Sequence, residues 1–553
     1  MSALRKHQKH FSQAVDGIIS GSGVNTIWCH VTPGGGKSLL PVLAGRLITA
    51  NFADKLIWIA PRLSLIDQAE REFINPHFRQ ALNHRLQIRS STNEINPCRG
   101  THGCATTYNA VGMDDGILLD EFRRRRYILI MDEFHHVAKD SLWHEKIRPL
   151  WDLAAYRVPM TGTLERGAGD RIAFLPYRDL WTSCRPELPR DQANFSIMYT
   201  RTDALREKAI IPLKFHLADG QASWETEEGK TVNVASIDRV DDAKASQAVY
   251  TALQTGFADD LLRNGLSHWQ GHRKADQGAK CLIVCSDIKQ AERHTESLKK
   301  QGMTRVDIAT SNDSTEAMRA IKAMKMDKID VLVTVAMAYE GLSIPAVSHI
   351  ICLTRVRSTP WIEQMTARAN RINPALPYET QVGHVFAPAD PLFKEIVGKI
   401  EQEQGCIVAG QRAPMEGGSD GSESELFSGD TSPGGIIPLS SHATGSREIF
   451  LGDKSDGVPL FCDEATQSEI EADLRDKLES HIRAYSFQNR YSPKKINAEV
   501  YAHAGKKRRE MTIRELNDCL SFVKGAYPLA HIRGTGRDRV PTKATRVAVQ
   551  WRP

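Results

Sequence analysis

Three glycines, a lysine and a serine follow an apolar run in "CHVTPGGGKSLL", residues 29–40. Glycines in such a turn let the backbone take positive φ and approach a ligand closely. Their N–H groups, together with a helix expected to start at Ser38, make an anion cradle. Gly34, Gly35 and Gly36 supply the backbone, Lys37 a charge that reaches β- and γ-phosphates, and Ser38 a hydroxyl for Mg²⁺. Val31 stands where the full G-x-x-x-x-G-K-[ST] pattern has its first glycine, while the inner G-x-G-K-S is intact. Further along, "YILIMDEFHH" sets Asp132 and Glu133 at the end of an apolar strand. In phosphoryl-transfer sites of this kind one carboxylate holds Mg²⁺ and a neighbour orients and deprotonates water. The two elements in this order imply that ATP or a related nucleotide is bound and hydrolysed.

Elements able to hold such residues recur through residue 400. "NTIWCHV", "KLIWIAP", "YILIMDEF", "YRVPMTGT", "KCLIVCS", "VLVTVA" and "HIICLT" are β-rich apolar runs separated by amphipathic stretches. Near-continuous apolar strands alternating with helices predict parallel sheets covered on both faces, an α/β fold. Two such series, 20–165 and 275–390, predict two domains in tandem, and 553 residues exceed what one core supports. With 41% hydrophobic and 25% charged residues the composition is that of a soluble globular protein. No apolar stretch approaches the roughly 20 residues of a membrane span, and "MSALRKHQKHF" lacks a signal-type apolar region. Together with ten scattered cysteines, these features predict a cytoplasmic chain with no membrane partner. Cys98, His102 and Cys104 offer three ligands at an unusual spacing, and a structural reading is preferred to a metal site.

Eight ordered segments resemble the superfamily 2 helicases and translocases, in particular the branch of type III restriction motor subunits. "LRKHQ" (Leu4–Gln8) is similar to the branch's N-terminal L-R-x-x-Q element, "TPGGGKS" to motif I and "APRLSLIDQ" to motif Ia. "ATTYNAV" resembles motif Ic, "DEFHH" the D-E-x-H box related to the DEAH box, and "MTGTLER" motif III. "VAMAYEGLSIP" and "QMTARANR" resemble motifs V and VI. The resemblance implies two RecA-like P-loop domains with ATP between them and a nucleic-acid strand across the top. It implies that Gln8 recognises adenine, Asp132 holds Mg²⁺, Glu133 is the catalytic base, and His135, Thr161 and Thr163 couple hydrolysis to motion. Gln364, Arg368 and Arg371 would reach the γ-phosphate from the second domain. Arg62, Thr106, Thr107 and Gly341 would line the strand path. Ala367 and Ser343 depart from the usual Gly and Asp of motifs VI and V. Gln364 precedes Arg368 and Arg371 by four and seven residues, a spacing that predicts one shared helix face.

Charge is uneven along the chain. From His481 to Pro553 there are 16 Lys and Arg against 5 Asp and Glu, whereas 410–460 holds 8 acids and 3 bases. A basic tail behind an acidic stretch points to a polyanion, most simply nucleic acid. The expected division is 1–200 and 205–408 for the two RecA-like domains, 409–460 for an acidic Gly/Ser-rich linker, and 461–553 for a small basic helical C-terminal module. In that module two short helices are predicted to flank a turn bearing Lys506, Lys507, Arg508 and Arg509, a candidate phosphate contact. The resulting expectation is an ATP-dependent DNA helicase or translocase using Mg²⁺. Its alternatives are an RNA helicase, a nucleotide-dependent clamp, and the motor subunit of a restriction or defence complex in which a separate nuclease subunit cuts.

Overall fold

The computed structural model describes residues 4–91, 96–114, 116–164, 170–180, 183–310, 314–335, 344–405, 436–449 and 467–529. The chain forms two compact units, Met1–Gln467 and Ser468–Pro553. The first unit contains two sheets. Sheet one comprises β1 (Thr26–Val31), β2 (Lys55–Ala60), β3 (Ile88–Ser90), β4 (Gly103–Thr107), β5 (Tyr127–Asp132), β6 (Tyr156–Thr161) and, beyond the small hairpin β7 (Tyr177–Leu180) and β8 (Ser183–Pro186), β9 (Asn194–Tyr199). Their order is β3-β4-β2-β5-β6-β1-β9, all parallel. Every residue of β5 is buried, as a central parallel strand covered on both faces requires. One core, around Phe11, Leu43, Trp58 and Tyr199, covers one side of the sheet, and another, around Trp28, Tyr108, Leu129 and Phe134, covers the other.

Sheet two comprises β10 (Leu213–Glu225), β11 (Thr231–Val234), β12 (Lys280–Cys285), β13 (Val306–Ala309), β14 (Val331–Val335), β15 (Val347–Leu353), β16 (Gly383–Pro388) and β17 (Ile437–Ile449). The order is β11-β10-β16-β15-β12-β14-β13, parallel except where β11 and β17 run antiparallel to β10. The expected pair of parallel-dominated α/β sheets is therefore present. β17 corrects the reading of 409–460 as linker throughout. Its residues "IPLSSHATGSREI" pair with β10 from Phe215 to Glu225, main-chain hydrogen bonding making a strand of a polar segment. The acidic part of that stretch, 409–435, lies outside the described residues.

At the base of β12 and β14 lies a charge lock. Asp330 receives Lys280 Nζ at 2.7 Å, Arg305 Nε at 2.8 Å and Arg273 Nη1 at 2.9 Å, and Lys280 also bonds Asp327. Burial pushes Asp330 up, yet the hydrogen bonds from Arg305 and Lys280 and their charge hold it down to about 2. On the same sheet, His216, His349 and His384 stand on β10, β15 and β16 beneath the helix Gly256–His272. Burial, then the neighbouring imidazoles, holds His349 well below the ordinary histidine range and His384 down to about 2.

The second unit is a bundle of three helices, Gln467–Asn489, Pro493–Ala504 and Ile513–Ala526, around Leu478, Ile482, Ile496, Val500, Leu516 and Val523. The last two match the expected pair, with Gly505 at φ +69° ending one and a Thr512–Glu515 capping box starting the other. The long first helix is additional.

Candidate functional site

The carboxyl ends of β5, β6 and β1, adjacent in the sheet, bring three loops together, the usual place for ligand chemistry in an open parallel sheet. After β1 the chain enters Pro33–Ser38. Gly34 and Gly36 have φ of +82° and +90°, which L side chains rarely adopt. A Cβ on Gly35 would lie 2.8 Å from Thr32 O, and one on Gly34 would lie 2.8 Å from Asn370 Oδ1. The first helix braces this loop. Arg5 Nη1 donates to Gly35 O at 2.7 Å and Gln8 Nε2 to Gly36 O at 3.1 Å, so Gln8 faces the loop.

Lys37 Nζ donates to Glu133 Oε1 and lies 3.7 Å from Asp132 Oδ1. Burial first, opposed by Lys37 and reinforced by Glu133, raises Asp132 to about 6. Glu133 moves the other way. Against its own burial, the charges of Lys37 and His135 and their hydrogen bonds hold it well below the usual carboxylate range. Its backbone is left-handed, φ 47° and ψ 46°, which swings the carboxylate off the strand direction. There Oε2 accepts from Gly162 N at 3.2 Å and lies 3.4 Å from Thr161 Oγ1. His135 Nδ1 is 2.7 Å from Thr161 Oγ1, and Thr161 Oγ1 donates to Thr163 O at 2.7 Å. His135 Nε2 lies 3.4 Å from Gln364 Nε2, on the second sheet's side. Asp132, Glu133, His135, Thr161, Thr163 and Gln364 thus form one connected cluster.

A cavity of about 120 Å³ is lined by Gly34, Lys37, Asp132, Glu133, Gln364, Arg368 and Arg371 among others. Small-molecule pockets run to about 300–1,000 Å³, so a whole nucleotide requires the two sides to part. Amide-rich loop, ammonium, two carboxylates and two guanidiniums are the donor set for a Mg²⁺-bound polyphosphate. Burial, then Arg368, lowers Arg371 to about 9, a cost that an anion between them would relieve.

Several expectations change. The helix Thr359–Thr366 ends before Arg368 and Arg371, which sit in the following turn; Gln364 and the arginines share the cavity, not a helix face. That turn is pinned because a side chain on Gly383 would meet Ala369 O at 2.2 Å. Ser38 Oγ donates to Glu72 Oε1 at 2.8 Å, and burial raises the Glu72 carboxyl. Arg62 precedes the helix Leu63–Ile74 in extended conformation. Thr106 and Thr107 are buried, and Thr107 Oγ1 accepts from Ala110 N as a helix cap. Gly341 lies outside the described residues, as does Ser343. Lys506 is paired with Glu515, and Arg508 with Glu479 and Asn497, so these two basic side chains brace the bundle; Lys507 and Arg509 stay exposed. Cys98 and Cys104 are buried with Sγ atoms 3.1 Å apart, while His102 accepts from Gln87 N, so the three share no ligand point. Sequence reasoning missed Glu72 and Asn370. Asn370 sits inside "QMTARANR", fully buried, and its amide has no hydrogen-bond partner among the described residues.

A glycine loop, a strand-end Asp–Glu pair and arginines from beside the second sheet are the arrangement of a two-domain P-loop fold. Residues 1–166 match the model of the type III restriction enzyme res subunit, and 260–373 that of the helicase conserved C-terminal domain. With these two matches in tandem the chain belongs to the superfamily 2 helicases, with a res-type first domain. It is 23% identical over 389 residues to an uncharacterised protein of Mycobacterium leprae (strain TN), covering 68% of this chain and 61% of that one. It is also 23% identical over 392 residues to an uncharacterised protein of Mycobacterium tuberculosis (strain ATCC 25618 / H37Rv), covering 68% and 60%. The chain thus spans about three fifths of the length of these relatives. Among solved structures, Mycobacterium smegmatis helicase Lhr bound to ssDNA and AMP-PNP aligns at TM-score 0.46 and 14% identity, over 73% of this chain and 48% of that one. No described helix is long and apolar enough to cross a membrane.

Proposed function

We propose that this chain is a cytoplasmic, Mg²⁺-dependent ATPase that moves on nucleic acid, DNA first. The observation that carries the reading is the continuous path from Lys37 through Glu133 and His135 to Gln364, which ties the P-loop to the opposite side of the cleft. In this reading Gly34, Gly35, Gly36 and Lys37 bind the phosphates, and Asp132 and Ser38 hold Mg²⁺. The ion neutralises charge on the phosphates. Glu133, released from Lys37 when phosphate takes its place, accepts the proton of the attacking water. Arg368 and Arg371 stabilise the charge that develops as the cleft closes. Gln8, which bonds the loop at Gly36 O, recognises adenine in this reading. His135 and Thr161 pass the state of Glu133 to Gln364, coupling hydrolysis to domain movement.

For nucleic acid, Arg62 at the carboxyl end of β2 and the exposed Lys507 and Arg509 are the proposed phosphate contacts. The test is ATP turnover with single-stranded DNA, duplex DNA and RNA offered separately. Stimulation by DNA above RNA is expected, and equal turnover with none of them present would overturn the motor reading. The res-subunit likeness of residues 1–166 supports a second reading, a motor whose partner subunit cuts DNA. Under it, translocation occurs without cleavage until that partner is added.

A further inference from the structure

Five imidazoles meet on one face of the second sheet. His349 is opposite His384 in the β15–β16 register, and His216 is opposite Phe386, one pleat repeat beyond His384, so all three share a face. The helix Gly256–His272 lays His268 and His272, one turn apart, over that face. His216 Nε2 is 3.0 Å from His384 Nδ1, and His268 Nδ1 is 2.8 Å from His349 Nε2. One ring nitrogen from each of His216, His268 and His384 lies within 4.8 Å of the others. A covered sheet face is ordinarily aliphatic. Two neutral imidazoles satisfy each other through one N–H, but further rings in the same place add lone pairs that converge.

We propose that His216, His268 and His384 form a binding site for a divalent transition metal, zinc first, with His349 holding His268 in position. Zn–N bonds of about 2.0–2.1 Å place tetrahedral ligands about 3.4 Å apart. The His216–His384 separation is near this value, and rotation of His268 closes the rest. All-nitrogen ligands suit Zn²⁺, Cu²⁺ and Ni²⁺ over Mg²⁺, so the site is chemically distinct from the nucleotide site. The hydrogen bond between His268 Nδ1 and His349 Nε2 orients the His268 ring, and Ser348 Oγ, 2.9 Å from His349 Nδ1, orients that partner in turn. His272, one turn from His268, lines a cavity of about 300 Å³ with Asp276 and Ser348. The bound ion would fasten the helix to β10 and β16 at once.

The test uses the whole protein, stripped with chelator and then titrated with ZnCl₂ by calorimetry, with CoCl₂ as a spectroscopic probe. One equivalent per chain is expected, with a higher melting temperature and tetrahedral Co²⁺ bands free of thiolate charge transfer. His268→Asn, at a half-buried position that tolerates change, and His384→Asn should each weaken zinc on the order of 100-fold or more. His349→Asn should weaken it about 10–100-fold. Folded wild-type protein that takes up no zinc, unchanged affinity in both ligand variants, or a thiolate band traced to cysteines such as Cys98 and Cys104 would each overturn the proposal. Should His384→Asn fail to fold, the wild-type Co²⁺ spectrum and His268→Asn still decide.

Discussion

Lys37 and Lys280 each stand between two acids, yet the two clusters are built to opposite ends. Around Lys280, Asp330 is matched by three cations and lies at about 2, so the charges are settled within the protein. Around Lys37, one ammonium serves buried Asp132 and half-buried Glu133, and Asp132 is lifted to about 6. Saturation with cations is what a structural charge lock needs. A shortage of cations is what the proposed function needs, since it would leave a place for a metal ion and a polyphosphate.

The largest effect should come from the cation across the cleft. Arg371→Ala is expected to cut nucleic-acid-stimulated turnover by about 10³-fold or more, as for an arginine finger, while sparing ATP affinity. Normal turnover per folded molecule would make Arg371 a packing residue. Next, Glu133→Gln should lower turnover by about 10²–10⁴-fold with ATP still bound, measured by single-turnover hydrolysis and nucleotide binding. Hydrolysis at the parent rate would remove Glu133 from the chemistry.

Stability should then divide the two acids. Asp330→Asn leaves Lys280 buried beside an exposed acid and is expected to cost about 3–5 kcal/mol in denaturant unfolding. Asp132→Asn, which removes a carboxylate that burial already pushes toward its neutral form, should leave the nucleotide-free melting temperature unchanged or raised. Equal losses would mean that the two clusters serve one purpose.

The smallest effect is in pH. Asp330 is depressed, so its contribution to stability is present above its unfolded pKa and fades as pH falls toward about 2. Asp132 is raised, so it favours the fold only at low pH, a contribution lost as pH rises through about 6. Because Mg²⁺ competes with that proton, Mg²⁺ affinity should climb up to about tenfold per pH unit below 6 and level off above it. Titration of Mg²⁺ binding from acid to neutral pH checks this, and a flat profile would assign the metal to another group.

What could be read in the residues follows the same division. Gly34–Ser38 and Asp132–Glu133 could be singled out because phosphate and metal chemistry would demand those types at strand ends. Glu72 and Asn370 did not, since only packing brings one to Ser38 and the other to Gly34. The helix-face spacing of Gln364, Arg368 and Arg371 misled because periodicity carries no stop signal, and the helix ends at Thr366. β17 was hidden for a related reason: its residues do not alternate, and its strand form comes from β10. In the basic turn, Lys506 and Arg508 looked free because Glu515 and Glu479 lie at a distance in the chain.

Glu133 occupies the left-handed region, a conformation that costs a non-glycine residue about 1–2 kcal/mol. Laboratory evolution that rewards heat resistance alone meets two opposed terms at this position. Glycine or asparagine relaxes the turn but gives up the bonds from Lys37 and Gly162 N, and under the proposed function a variant that gained stability on balance would survive the screen without turnover. Under the proposed function, thermostable versions are to be sought with position 133 held constant, or with turnover scored alongside survival.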